Sequence, residues 1–333
     1  MNLKHPGAQM RAEAAEIGDR FAASLLRRLP APADALRLGT QRALYTLARG
    51  SSDAAAMVLS YEIMRLFGIP ATTLPPSVFS LQGGLNTKSA LALAISQSGR
   101  SPDLVRAASG FRAGGGKVVA LLNTPESPVG HASDAVIDVL AGQEKATPAT
   151  KSVVCSIAAG LALIASERPA YADHFAAVAA LVHRAAAAPV DRALVEALAA
   201  SRSLYVIGRG SGFGAAQEVA LKMKECCAIH AEAYSASEVL HGPLQLASPA
   251  LTVLILDTGE GVTQESLAAV EARFAATGAA IHRLRTPVET EISPAAAAAV
   301  LLAQVYPVIL ETALALGLDP DAPAALSKIT ETI

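Results

Sequence analysis

Apolar residues recur along this chain with two periods, and the alternation between them is the main structural signal. Over 10–28, Ile17, Phe21, Leu25 and Leu26 share one helical stripe, and Leu29-Pro30-Ala31-Pro32 ends it. The short apolar run over 43–48 leads into Arg49-Gly50-Ser51-Ser52, which predicts a buried strand followed by a helix over 53–67. Gly68-Ile69-Pro70 stops that helix. A second strand is expected over 91–95, ending in SQSGRSPD, with a helix over 101–112. Gly114-Gly115-Gly116 is a turn, 117–122 and 135–140 are further strands, and a helix over 152–166 follows. Helices over 171–187 and 191–200 come next. Strands alternating with helices predict an α/β fold with parallel sheets flanked by helices.

The pattern then restarts. Leu44-Tyr45 and Arg49-Gly50-Ser51 return as Leu204-Tyr205 and Arg209-Gly210-Ser211, at a constant offset of 160 residues from Tyr45 to Tyr205. Strands over 251–256 and 280–284, a helix over 263–277 between them and another over 294–316 complete a second run of the same order. Two tandem α/β lobes are the simplest reading. The expected division is an N-terminal helical segment over 1–38, a first lobe over 39–187, a second over 188–318 and a tail over 319–333.

Composition narrows the class. With 333 residues and 52% hydrophobic content the chain can bury large cores, and aromatics at 4% leave the packing to Ala, Val, Leu and Ile. A net charge of −2 with no long basic run gives no electrostatic footprint for nucleic acid. The apolar stretch over 295–310 contains Gln304 and Pro307 and is followed by Glu311, so it reads as a buried helix; a span needs about 20 apolar residues. No signal peptide is read at the N-terminus, and no membrane association is expected. Cys155, Cys226 and Cys227 make no disulfide framework, which suits a cytoplasmic protein. Cys-Cys-x-x-His around His230 lacks a usual zinc spacing, so no metal is expected and the cysteines are read as core residues.

Two stretches carry candidate chemistry. Ser96, Gln97, Ser98 and Ser101 surround Gly99 just before a helix, and Ser51 and Ser52 follow the first strand at the same sheet edge. Hydroxyls at a helix N-terminus suit a phosphate monoester; the alternative is a Ser-rich turn with Ser101 as a simple N-cap. Neither a GxxxxGK[ST] loop nor a spaced GxGxxG is present, which argues against a nucleotide site, and no cofactor is expected. In the second stretch, Glu218, Lys222 and Glu225 fall at i, i+4 and i+7 of a helix and share one face. Such a stripe is either a solvated face, the commoner case, or a site. Residues 228–234 read as extended, Ser235 as the start of a helical turn with Glu238 as its capping partner, and His241-Gly242-Pro243 as its end. A histidine is thereby placed on a turn, near a helix carrying two carboxylates and a lysine.

Together the segments ARGSS, LAISQSGRSPD, EKATPATKS, EVALKMKE, IHAEAYSASEVLHGPL and GLDPDAP..LSKIT resemble the sugar isomerase (SIS) domain proteins, in the branch of the isomerase half of glutamine–fructose-6-phosphate aminotransferase and its stand-alone relatives. The resemblance covers nearly the whole chain. It implies that Ser51, Ser52, Ser96, Gln97, Ser98 and Ser101 hold a sugar phosphate, and that Glu225 moves a proton between C1 and C2. His241 would assist ring opening from a neighbouring subunit, Lys328 in the tail would contact the open-chain sugar, and Glu218 and Lys222 would support the base. Thr147 and Ala149 would line the sugar pocket, Ala149 standing where the aminotransferases have serine. Residue 2 is Asn2 and no cysteine precedes Cys155, so a glutaminase domain with its cysteine nucleophile is not expected. The activity implied is a homodimeric glucosamine-6-phosphate deaminase. The alternatives are another phosphosugar enzyme of the branch, such as a fructosamine-6-phosphate deglycase or an aldose–ketose isomerase, and a non-catalytic sugar-phosphate sensor.

Overall fold

The computed structural model describes residues 5–81, 84–287 and 291–326. The elements run α1 (Ala8–Ala15), α2 (Ile17–Leu25), β1 (Ala43–Leu47), α3 (Ser51–Phe67), β2 (Ala71–Thr73), α4 (Ser77–Leu81), β3 (Ala90–Ser96) and α5 (Pro102–Ala113). They continue with β4 (Lys117–Leu122), α6 (Pro128–His131), β5 (Ala135–Asp138), α7 (Lys151–Glu167), α8 (Phe175–Ala186) and α9 (Arg192–Ala200). The remainder is β6 (Ser203–Gly208), α10 (Ser211–Cys227), β7 (His230–Ser235), β8 (Leu251–Asp257), α11 (Gln264–Ala275), β9 (Ala280–Arg285) and α12 (Pro294–Ala315).

The chain forms two compact units, each built on one parallel sheet. The first comprises Asp19–Gln143 and Ser152–Ala179. Its sheet has the order β2-β1-β3-β4-β5, and every neighbouring pair is parallel. β3 is buried along its whole length, which explains why ALALAIS is an unbroken apolar run rather than an alternating one. One face packs Ala92, Ala94 and Val118 against Leu104, Ala108 and Phe111 of α5. β2 is three residues long at the sheet edge and carries no apolar period, so nothing in the sequence pattern announces it.

The second unit comprises the described residues up to Gly18, the segment Glu144–Lys151 and those from Ala180 onward. Its sheet, β7-β6-β8-β9, is again parallel throughout. Its core includes Ile207, Val253 and Ile255 with Leu267, Val270 and Phe274 of α11. α12 is long and apolar enough to cross a membrane by composition, but most of it is buried inside the protein, packed on α9 and α10.

The repeat is visible in the backbone. Gly50 (φ 55°, ψ −129°) and Gly210 (φ 57°, ψ −133°) turn β1 into α3 and β6 into α10 with nearly one conformation, open to glycine and costly for other residues. In both sheets the strand order reverses between adjacent strands, β1 and β3 in one and β6 and β8 in the other. The loops leaving those strands at their carboxyl ends therefore border the crevice where open α/β sheets bind ligands.

Several expectations are corrected. The helix over 10–28 is two helices, broken at Glu16; two residues on, a Cβ at Gly18 would stand 2.8 Å from the backbone Cα of His183, so only glycine fits this close approach. The helix expected from Tyr171 begins at Phe175, after a 3-10 turn over Pro169–Ala172. Ser235 does not open a helical turn: it is the last residue of β7, and its Oγ accepts from Arg209 Nη1 at 3.1 Å. The turn that follows is a 3-10 segment, Glu238–Leu240, with Ser237 at its N-cap.

The aspartates of the LDPDAP segment close the second unit onto its own N-terminal helix. Gly7 N donates to Asp319 Oδ1 at 2.9 Å, Gln9 N to Asp321 Oδ2 at 2.7 Å and Met10 N to Asp321 Oδ1 at 2.8 Å. These amides belong to the first turn of α1, where a carboxylate meets both unsatisfied N–H groups and the positive end of the helix dipole. Asp321→Ala is expected to lose about 1–2 kcal/mol of stability, read as a lower urea midpoint, with faster hydrogen exchange at Gln9 and Met10. An unchanged midpoint and unchanged exchange would show that the cap contributes nothing.

Candidate active site

In the first unit the hydroxyl-bearing loops lie side by side because β1 and β3 pair in register, Ala43 with Ala90 through Leu47 with Ala94. Ser51 and Ser52 open α3 immediately after the Gly50 turn. After β3, the Gly99 amide donates to Ser96 Oγ at 3.0 Å and the Arg100 amide to Ser98 Oγ at 3.3 Å. Gly99 has φ +62°, and a Cβ there would stand 2.0 Å from Ser127 Oγ. Ser101 occupies the N-cap of α5 without a side-chain capping bond, so it does not serve as a simple cap. Ser96 is buried, while Ser51, Ser52, Gln97, Ser98 and Ser101 are half-buried. Arg49 joins the two loops: its Nε reaches Asp103 Oδ2 at 2.8 Å and its Nη2 the same oxygen at 2.7 Å. Asp103, buried in the first turn of α5, is thus neutralised from the β1 loop. Sequence reasoning took Arg49 for part of a turn; its recurrence as Arg209 was the available signal.

The repeat shows that only one lobe carries this hydroxyl set. Ser203 of β6 pairs with Leu251 of β8 as Ala43 pairs with Ala90, so the residue that ends β8 in the place of Ser96 is Asp257. Its Oδ1 accepts from Gly259 N and Gln264 Nε2, both at 2.8 Å, and Arg283 Nη2 lies 2.8 Å from Oδ2. Burial alone would raise the Asp257 pKa, but these bonds outweigh it and hold the carboxyl below its ordinary range. Where the first unit offers the Ser96 hydroxyl, this strand end therefore presents a carboxylate already committed to Arg283 and Arg285.

The second unit carries the ionic stripe, and it is not a solvated face. Glu218 and Lys222 are 0% and 1% exposed, while the Glu225 side chain keeps 25% of its surface open. Lys222 Nζ contacts Glu225 Oε2 and lies 3.6 Å from Glu218 Oε1. The same Glu218 oxygen accepts the phenolic O–H of Tyr306, from α12, at 3.0 Å. Burial alone would depress the Lys222 pKa; the flanking carboxylates of Glu218 and Glu225 overrule it and push it above the usual lysine range. The ammonium therefore stays charged at neutral pH, and Glu225 is the end of the stripe that a solute can reach. Burial pushes the neighbouring Cys226 thiol up to about 12, so it stays protonated and unreactive. No group of His, Cys, Asp and Glu side chains suited to a metal ion occurs among the described residues.

The remaining candidates are placed as follows. Thr147 Oγ1 donates to the backbone carbonyl of Asp321 at 3.1 Å, and Ala149 is half-buried in the same segment. That segment is held by Glu13, whose Oε1 accepts from the Ala146 amide at 3.3 Å, and by Glu144, whose Oε1 accepts from the Thr150 amide at 2.9 Å. His241 ends the 3-10 turn after β7 and is exposed. Lys328 lies outside the described residues. The structure therefore brings Glu218, Lys222, Glu225 and Tyr306 together, and separately gathers the serines around Arg49 and Asp103. Tyr306 was missed because its partner lies 88 residues away in sequence.

Two outcomes are expected. Lys222→Met leaves two carboxylates without their cation and should destabilise the protein by about 3–5 kcal/mol at neutral pH. Because the Lys222 pKa is raised in the folded protein, the wild-type advantage should be fully present below the unfolded lysine value of about 10.4 and shrink as pH rises beyond it, which denaturant titrations at several pH values would measure. Gly99→Ala should displace the serine loop from Ser127 and weaken phosphate or phosphosugar binding roughly tenfold or more in calorimetry, with the fold retained. Unchanged affinity would separate that loop from anion binding.

Comparison with known proteins adds the following. A family model described as SIS domain matches residues 38–166 and 197–305. The chain is 31% identical over 308 residues to a glutamine–fructose-6-phosphate aminotransferase (isomerizing) of Pyrobaculum aerophilum, covering 86% of this chain and 51% of that protein. It thus spans about half the length of the curated relatives it matches. The crystal structure of a candidate phosphosugar isomerase from Silicibacter pomeroyi DSS-3 superposes with a TM-score of 0.79 at 32% identity, covering 94% of this chain and 99% of that one. Glucosamine-6-phosphate deaminase from Thermotoga maritima shares the fold, with a TM-score of 0.76 at 20% identity over 97% of this chain and 100% of that one.

Proposed function

The chain belongs to the SIS domain family of sugar-phosphate isomerases, and from that premise we propose that it is a glucosamine-6-phosphate deaminase, forming fructose 6-phosphate and ammonia. The observation that carries this reading is the buried Glu218–Lys222–Glu225 stripe, which ends in one reachable carboxylate. That arrangement suits a group that takes a proton from carbon and returns it to the adjacent carbon. The deaminating direction draws support from the near-complete mutual coverage with the Thermotoga maritima deaminase.

The proposed steps balance without an external oxidant or reductant. Ser51, Ser52, Ser96, Gln97, Ser98 and Ser101 take the phosphate, which fixes the distance to the reacting carbons. His241, supplied by a second copy of the chain in a homodimer, helps open the sugar ring. Glu225 removes the proton from C2, the C–H electron pair forms the C1–C2 double bond, and the C1 carbonyl π pair moves to O1, which takes a proton from solvent to give the enolamine. When Glu225 returns the proton to C1, the C1–C2 double-bond pair forms the new C–H bond, the nitrogen lone pair forms an imine at C2, and an N–H proton passes to solvent. Water adds to that carbon and ammonia leaves, giving the ketose. Lys222 contacts and positions the Glu225 carboxylate, and Lys328 contacts the open-chain sugar. The protein works in the cytoplasm on this reading.

A second reading is an aldose–ketose phosphosugar isomerase or a fructosamine-6-phosphate deglycase. Ala149 favours it, because the hydroxyl expected from the aminotransferase resemblance is absent at that position. The match to the Silicibacter pomeroyi candidate phosphosugar isomerase points the same way.

Incubating the protein with glucosamine 6-phosphate, without added metal or nucleotide, should release ammonia and fructose 6-phosphate in equal amounts. Glu225→Gln should abolish turnover and keep phosphosugar binding. A wild-type blank on this substrate would overturn the deaminase reading, and turnover of a ketose or fructosamine phosphate would then establish the second.

A further inference from the structure

The Arg-Gly-Ser repeat places an arginine after the first strand of each sheet, Arg49 after β1 and Arg209 after β6. In the first unit Arg49 is paired with Asp103, at the start of the helix that follows the serine loop. Arg209 meets hydroxyls instead. It is half-buried, and its Nη1 donates to Ser235 Oγ at 3.1 Å and to Ser237 Oγ. These serines bracket Ala236, where β7 gives way to the turn that ends in His241. The same segment is fixed to β6 at two further points. The Ala236 amide donates to Gly208 O at 2.9 Å, and the Tyr205 hydroxyl donates to Pro243 O at 3.1 Å. Tyr205 is a rigid anchor: it is 3% exposed and meets Tyr234 and Phe274 edge-on, at centroid distances of 4.9 and 6.1 Å. An exposed histidine is thus carried on a short segment pinned at both ends.

We propose that Arg209 is a positioning residue: by holding Ser235 and Ser237 together it fixes the 3-10 turn that presents His241 to the sugar. The inference deepens the proposed function and rests on His241 assisting ring opening. The turn Glu238–Leu240 has little order of its own, since a three-residue 3-10 segment makes few and poorly aligned bonds. Ser237 stands at its N-cap but makes no side-chain capping bond there; Arg209 takes that hydroxyl. The orientation of the turn therefore comes from β6 and the loop after it.

A guanidinium suits this task. One Nη carries two N–H groups, so it reaches two acceptors at once, and it stays charged at every working pH. Removing it takes a charge-assisted bond from each hydroxyl and leaves the two oxygens facing each other at 3.5 Å. A displacement of about an ångström in a group that must meet the substrate costs on the order of a hundredfold in rate. The first unit supports the assignment by parallel: there the repeat arginine secures the helix start beside the serines, and here it secures the turn that bears the histidine.

The test joins local order to kinetics. Arg209→Ala and Ser237→Ala should each speed hydrogen exchange at the His241 amide by roughly tenfold or more, with the amides of β6 and α10 still protected. On the phosphosugar that the wild-type protein turns over, both should lower kcat by roughly tenfold or more and leave KM within about twofold, because the serines of the first unit hold the phosphate. Ser237→Thr, which keeps the hydroxyl, should restore both exchange protection and kcat. His241→Ala should also lower kcat, and adding Arg209→Ala to it should cost little more. Unchanged exchange at His241 in folded Arg209→Ala protein overturns the proposal. So does a Ser237→Thr protein as impaired as Ser237→Ala, or a full further loss in the double variant. If Arg209→Ala does not fold, Ser237→Ala and Ser237→Thr decide by the same readouts. A wild-type kcat in His241→Ala protein shows instead that the reading of His241 has failed, and the proposal falls with it. If the wild-type protein turns over no phosphosugar, the functional reading has failed on its own, and the exchange rates still decide whether Arg209 holds the turn.

Discussion

An ammonium buried in a protein interior must be paired, and the pairing of Lys222 with Glu218 and Glu225 constrains the arrangement around the proposed base. An isolated ion in that position would lose several kcal/mol of hydration. Placing the three groups at i, i+4 and i+7 of α10 solves the problem locally, since one helical face brings all of them together. The stripe still carries one more negative than positive charge. Tyr306 absorbs part of that excess from α12 by hydrogen bonding to Glu218. What remains is a single carboxylate, Glu225, with part of its surface open to a solute.

The duplicated architecture supplies the second constraint. Both sheets reverse their strand order between adjacent strands, and both place a glycine of the same unusual backbone conformation ahead of a helix. One scaffold has nonetheless been put to two uses. In the first unit the central strand ends in Ser96 and a hydroxyl-rich turn; in the second the equivalent strand ends in Asp257, neutralised by Arg283 and Arg285. Hydroxyl groups gather at the first strand end, and a carboxylate paired with arginines takes their place at the other.

Much of this was legible in the sequence, and the limits have a physical cause. The strands and long helices could be read because hydrophobic period is a local property. The repeat could be read because Arg-Gly-Ser recurs after the same apolar run. The Glu218–Lys222–Glu225 stripe was visible as a stripe, but its burial was not, since that depends on α12 and on Tyr306 far along the chain. The capping of α1 by Asp321 joins residues 312 positions apart and leaves no local trace. The break after Ala15 and the strand β2 escaped for a related reason: a close approach at Gly18 and a short sheet edge are tertiary features. The roles of Thr147, Ala149, His241 and Lys328 came from the resemblance rather than from any pattern of spacing.

The central claim is that Glu225 moves a proton between C1 and C2 of a sugar phosphate, and solvent exchange tests it most directly. Turnover in deuterium oxide should place deuterium at C1 of the ketose in wild-type protein, detected by NMR of the product. Glu225→Gln protein that still binds the phosphosugar should incorporate none. Equal incorporation by the variant, or a wild-type ketose product free of solvent deuterium, would contradict the account; the second result would indicate hydride transfer or a proton fully shielded from water.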